Sequence, residues 1–317
     1  MPEDPYHLLL HRELHIHDVE EHFGDQLVLL RDIVNYGTKL IPACLTSSDR
    51  SLGDTIVIAV LLKQVISMLD GLEVLISNAC VPTGLLQARA IFEASAYIDF
   101  VLAGEKDRKA EFYYVANIRK DLQWARRTQS GDDEEARFRG ALGDFADVLE
   151  PTRQRLEADG EEHINTLEDF FEREPWSHIN ARFEELRGNR PFDLNWYVEF
   201  GPRSFRQLSE AVGRLHEYEL FYTVSSEKMH GSDFRSHIRF AQGEISLSPI
   251  RNLSAIASVL NFSLSSALHT YQCVLNEYRP GQIREYSERY MRDWREPFLG
   301  IRGVTYVAGD DGGPIQC

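Results

Sequence analysis

The chain has 317 residues, 43% of them hydrophobic and 11% aromatic, so it can bury a substantial core and lacks the composition of a disordered chain. Its formal net charge of −16 excludes a protein wrapped broadly around nucleic acid, which needs a basic footprint, and leaves room only for a local basic site. The length suits one large domain or two small ones.

Asp4-Pro5 opens a first helix running toward His17, since Asp caps free N–H groups and Pro is tolerated in a first turn. A second helix, residues 19–45, carries Leu27, Leu30, Ile33, Val34, Leu40 and Ile41 at helical spacing, with Pro42 expected to kink or end it. Residues 46–49 form a break and a cap. Residues 52–79 read as a long helix with Ile56, Val60, Leu61, Val65, Leu69, Leu72 and Ile76 covering most of its circumference, the mark of a central helix. A short turn at 80–84, with Thr83 as cap, leads into a helix over 85–102 ended by Gly104; so short a turn makes the two helices antiparallel neighbours.

Residues 107–128 form a further helix, with Phe112, Tyr113, Val115, Ile118, Leu122 and Trp124. From Ser130 to Arg187 the pattern is helical but heavily charged, which predicts a solvated helical excursion over 131–187, with a coil-like insertion as the alternative. After a loop at 188–193, one helix is expected over 204–229. Two short runs flanking Gln242-Gly243 suggest a small irregular or β-hairpin element near 237–247. Helices follow over 253–278 and 283–294, then a Gly-rich tail expected to be extended and mobile. The expected fold class is all-α, a multi-helix bundle with a central antiparallel hairpin at 51–104. The expected organisation is N-terminal helices over 1–50, a main helical domain over 51–295, and the tail over 296–317.

None of Cys44, Cys80, Cys273 and Cys317 lies in a C-x-x-C pair, which fits free or buried thiols rather than a disulfide framework. The acidic N-terminus has no apolar signal region, and the longest apolar run, Ile56 to Leu62, is too short to span a bilayer. The expected location is the cytoplasm, with no membrane association.

Arg89 and Glu93 are four apart on one face of a helix that is otherwise apolar and small, so both are drawn away from water and need partners. Two readings stay open: a buried ion pair that fixes helix register, or an Arg89 that holds a phosphate or carboxylate in a polar pocket. Asp70 and Glu73 are alternative partners for Arg89 across the hairpin, Glu73 being the nearer. Ser226 and His230 are also four apart, and Gly231 ends their helix. His230 is either a helix-terminal cation or a general acid/base. Arg235, His237, Arg239 and Arg251 follow closely, as an ordinary exposed loop or as a local anion site in which Arg235 and Arg239 bind the ligand. His7, His11, His15 and His22, with Asp18, fall within about 80° of one another on a helix. His7, His11 and His15 are weak metal candidates set against a polar surface stripe. There is no Walker loop, G-x-G-x-x-G, H-E-x-x-H or G-x-S-x-G, and no cofactor is expected.

Leu86, Arg89 and Glu93 spell L-x-x-R-x-x-x-E after a long helix and a small turn. Tyr222, Ser226, His230 and Ser232 spell Y-x-x-x-S-x-x-x-H-x-S. With these two blocks the sequence resembles the bacterial family catalogued as domain of unknown function 5677, over roughly residues 55–270, the charged stretch matching poorly. That family is distantly similar to the HEPN group of helical bundles, many of which are ribonucleases of toxin–antitoxin and phage-defence systems. HEPN nucleases use R-x(4–6)-H. Here the positions four to six before His230 are Ser226, Ser225 and Val224, so Arg89 has to supply the arginine in space. The resemblance then implies a metal-independent ribonuclease with Arg89, His230, Glu93 and Ser226 as its catalytic set. His230 moves the proton of the 2′-hydroxyl and Arg89 stabilises the phosphorane. The other reading is a non-enzymatic or sensor-like protein of a bacterial defence locus, whose Arg/Glu/His cluster is structural or binds a small anion. The expected partners are a second copy of the chain and either RNA or a small anionic ligand.

Overall fold

The computed structural model describes residue 10 and residues 12–46, 52–190, 192–223, 237–241 and 244–304. The chain forms two compact units, one of Met1–Gly104 with Ser209–Cys317 and one of Glu105–Leu208. Both are built of helices, twelve among the described residues.

In the first unit, α1 (Arg12–Leu45), α2 (Leu52–Ser77), α3 (Val81–Leu102) and α10 (Ile256–Tyr278) pack against one another. α1 is a single helix through His17 and Val19, where two helices are expected from sequence. Nothing between those residues breaks a helix, and Val19 and Phe23 continue its buried stripe. Pro42 lies in its last turns, and the helix ends three residues later. α2 is the central element: Ile58, Leu61, Leu62, Val65, Leu69, Leu72 and Ile76 are all buried. Over Asp54–Ser77 it is long and apolar enough to cross a membrane, but more than half of that stretch is buried inside the protein, as in a core helix.

α2 ends with Ala79 in the left-handed conformation, where its N–H donates to the Ile76 carbonyl and that of Cys80 to the Leu75 carbonyl. The chain turns at once into α3, which makes the pair antiparallel. α3 begins at Val81, four residues earlier than expected, because Pro82 is accepted in a first turn. Thr83 therefore lies inside the helix, and its hydroxyl donates to the Cys80 carbonyl instead of capping.

The second unit contains α4 (Lys106–Arg126), α5 (Asp133–Leu142), α6 (Phe145–Phe171), α7 (Trp176–Arg187) and a 3₁₀ turn, Trp196–Phe200. Phe112, Val115, Phe183, Trp196 and Tyr197 form its core. The charged stretch is helical rather than coil, and Asp132 caps α5 by accepting from the Glu134 N–H at 2.8 Å.

The single helix expected over 204–229 is broken. α8 (Phe205–Ala211) stops at Gly213, whose φ of +76° suits glycine, and α9 (Leu215–Glu217) runs into a π-helical turn, Tyr218–Tyr222. Further on, β1 (Ile238–Ala241) pairs antiparallel with β2 (Glu244–Leu247), Ile238 opposite Leu247 and Phe240 opposite Ile245. After α10 come α11 (Ile283–Arg289), a π-helical turn (Tyr290–Trp294) and α12 (Arg295–Leu299). Trp294 and Tyr286 close around Tyr36 of α1.

Candidate functional site

Two polar centres lie in the first unit, both supported by α3. At the first, Arg89 Nη2 donates to Tyr222 Oη at 2.8 Å, and the guanidinium carbon sits 4.2 Å from the centre of the same ring. Arg89 and Glu93 are half-buried. Among the described residues, Glu93 takes its hydrogen bond from Tyr97 Oη at 3.1 Å and not from Arg89. The order explains this in part: Arg four residues before Glu is the weaker arrangement of an ion pair on a helix. Burial, then the Glu93 charge, push the Tyr222 phenol above its usual value, so it stays protonated. The π-helical turn places Tyr222 here, stacked on Tyr218 with ring centres 5.0 Å apart. Glu73 does not serve Arg89; it receives Arg31 Nε of α1 at 2.7 Å.

The second centre lies between α3 and α10. Arg214 is 5% exposed. Its N–H groups reach Ser95 Oγ at 2.5 Å, Asp99 Oδ2 at 3.0 Å, Ser266 Oγ at 3.1 Å and both Glu217 oxygens, one at 2.9 Å. Burial works against its charge, but Glu217 and Asp99 outweigh burial and the guanidinium stays cationic. Thr270 Oγ1 donates to Ser95 Oγ at 2.7 Å. On the open side, His269 Nε2 lies 3.0 Å from both Asp99 oxygens and 3.5 Å from Cys273 Sγ. Hydrogen bonds to Asp99 and Cys273 push the imidazole up to about 10, so it is a cation at neutral pH. One aromatic ring links the two centres: Phe92 lies under the Arg214 guanidinium at 4.8 Å and beside Tyr222, ring centres 6.1 Å apart.

Of the residues singled out from sequence, Ser226, His230, Arg235, His7 and His11 lie outside the described residues. Arg239 lies on β1 opposite Ser246, its side chain not described. His15 Nδ1 is 3.7 Å from Asp18 Oδ2 on α1. Arg251 has a buried Nη1 with no hydrogen-bond partner among the described residues. The structure thus joins the first sequence block to the start of the second, Arg89 to Tyr222. Sequence reasoning passed over Asp99, Arg214 and His269, and read Cys273 only as a free or buried thiol. The readable signal was Ser95, Ser266 and Thr270 at core positions of apolar helices, together with His269 and Cys273 four apart.

These features define an all-α bundle protein with a half-buried arginine held by a tyrosine from a distant π-helical turn. The chain belongs to a family of unknown function (DUF5677), whose model matches residues 55–245, well over half of it. The match takes in Arg89, Glu93, Asp99, Arg214 and Tyr222 and stops short of His269 and Cys273. No curated protein and no solved structure shows a significant match to the chain.

Proposed function

We propose that the protein binds a phosphate-bearing ligand at Arg89. The observation that carries this reading is the hydrogen bond from Arg89 to Tyr222, which brings the start of the second sequence block against the first. A half-buried guanidinium beside a protonated phenol presents N–H and O–H donors suited to phosphate oxygens. Arg251, whose buried Nη1 has no hydrogen-bond partner among the described residues, lies in the same unit. Ser226, His230, Arg235 and Arg239 follow Tyr222 in sequence and would complete the site, and a second copy of the chain is its proposed partner.

Binding is tested with inorganic phosphate and a short single-stranded RNA by calorimetry. Removing one charge-assisted hydrogen bond costs about 1.5–3 kcal/mol, so Arg89→Ala should weaken binding by at least about tenfold. Equal affinity of wild type and variant defeats the reading.

The same contact supports a second reading, a HEPN-like metal-independent ribonuclease in which Arg89 stabilises the phosphorane and His230 moves the 2′-hydroxyl proton. Wild type should then cleave RNA in the presence of a chelator. Arg89→Ala and His230→Ala should each abolish cleavage with the helical circular dichroism unchanged. Wild-type protein that stays folded and leaves RNA whole sinks the nuclease reading and leaves phosphate binding standing.

A further inference from the structure

We propose that Asp99, His269 and Cys273 form a binding site for a divalent transition-metal ion, Zn²⁺ being the best fit, with three protein ligands and one open position. This site is independent of the Arg89 reading. The three residues offer oxygen, nitrogen and sulfur, a donor set that suits Zn²⁺ and does not suit Mg²⁺ or Ca²⁺.

The geometry is close to what the ion needs. One atom from each residue converges, all within 4.8 Å of one another. Tetrahedral Zn²⁺ with ordinary bond lengths separates sulfur from nitrogen or oxygen by about 3.6 Å, and nitrogen from oxygen by about 3.4 Å. His269 Nε2 is 3.5 Å from Cys273 Sγ and 3.0 Å from the Asp99 oxygens. The His269-to-Asp99 spacing has to open by about 0.4 Å, and the Asp99-to-Cys273 spacing already lies within 4.8 Å, adjustments within reach of side-chain rotation. Two ligands are four apart on α10 and the third stands on α3, so two packed helices fix the set.

The surroundings resemble the outer shell of a metal site. Asp99 is oriented by Arg214, which is locked by Ser95, Ser266 and Glu217. Arg214 and Glu217 cancel in charge, so the carboxylate of Asp99 and a Cys273 thiolate would together balance the ion. The ion would take the place of the proton on Nε2 of His269, and the Cys273 thiol would release its own. His269 is 47% exposed on its side chain, which leaves a side of the ion open to water or a ligand.

The test is titration of the full-length protein with Co²⁺, followed by displacement with Zn²⁺. Wild type should take up one Co²⁺ with a thiolate-to-cobalt charge-transfer band and the intense visible bands of four-coordination, both lost on adding Zn²⁺. Cys273→Ser should lose the charge-transfer band while keeping its helical circular dichroism. His269→Ala should weaken binding by more than the roughly 10–100-fold typical of outer-shell changes. Replacing His7, His11 and His15 together with Gln should leave the band intact. The proposal is overturned by a wild type that shows no charge-transfer band, by a band that survives Cys273→Ser, or by binding that disappears with the N-terminal histidines.

Discussion

Arg214 keeps a full positive charge where only 5% of its surface meets water. It can do so because each N–H points at an acceptor, two of them carboxylates. Removing the cation strands Glu217 and leaves Asp99 with His269 alone, so Arg214→Met should destabilise the protein by about 3–5 kcal/mol in urea unfolding. Arg214→Lys should recover little, because an ammonium cannot reproduce the planar fork. Asp32 is a second residue with a measurable signature. Burial acts to raise its carboxyl, but hydrogen bonds from Trp294 and Arg289 outweigh burial and hold it below its usual 3.8. A depressed carboxyl stabilises the fold above its unfolded value, and that contribution fades as pH falls through the lower folded value. The stability gap between wild type and Asp32→Asn should therefore be about 1 kcal/mol or less at pH 7, given the partial exposure, and vanish in acid below the usual carboxylate range. A gap that persists or grows in acid contradicts the assignment.

At the scale of elements, the crossing of α1 with α10 depends on Gly37. A Cβ there would lie 2.1 Å from Tyr271 Oη and 2.8 Å from Ile66 Cγ1. Tyr271 cannot step aside: it is fully buried and donates to the Ile33 carbonyl at 3.1 Å. Gly37→Ala should therefore cost about 1–3 kcal/mol by overpacking, despite alanine's better helix propensity. Gly37→Ala combined with Tyr271→Phe should recover part of that loss, read in the same unfolding assay. Where periodicity was strong the elements were legible beforehand: α2, α4 and α10 lie close to where their apolar spacing puts them. Periodicity also hides interruptions. The run over 204–229 stays amphipathic across Gly213, so the break and the π-helical turn that turns Tyr222 toward Arg89 left no trace in the pattern. The cluster around Arg214 was opaque for another reason. Asp99 and His269 are 170 residues apart, and only the packing of α3 on α10 makes them neighbours. The Arg89 face was legible as polar, but its partners, Tyr222 for the arginine and Tyr97 for Glu93, depend on three-dimensional placement.

At the scale of the whole molecule, each unit is held together internally by a different force, and salt should affect the two differently. The first unit buries long apolar stripes of α1, α2, α3 and α10. In the second, α5 buries no residue. A chain of part-exposed ion pairs runs from it into α6: Arg139 pairs with Glu135 on its own helix and with Glu150 of α6, where Arg153 holds Glu150 and Glu157. Hydrogen bonds from Arg153, and the charges of both arginines, hold the Glu150 carboxyl down to about 2, so this shared carboxylate is ionised throughout the ordinary pH range. Arg119 likewise grips Asp193 at 2.7 Å and Glu184 at 2.6 Å, joining α4 to α7 and the loop beyond it. Such pairs weaken as salt shortens the screening length from about 10 Å at 0.1 M to about 3 Å at 1 M. Apolar burial does not weaken in this way and is, if anything, strengthened by excluded salts. Hydrogen exchange read peptide by peptide at the two salt levels should show residues 133–171 exchanging faster at high salt, while peptides from α2 and α3 hold steady. A uniform change across both units would mean that the charge network follows the fold of the second unit instead of maintaining it.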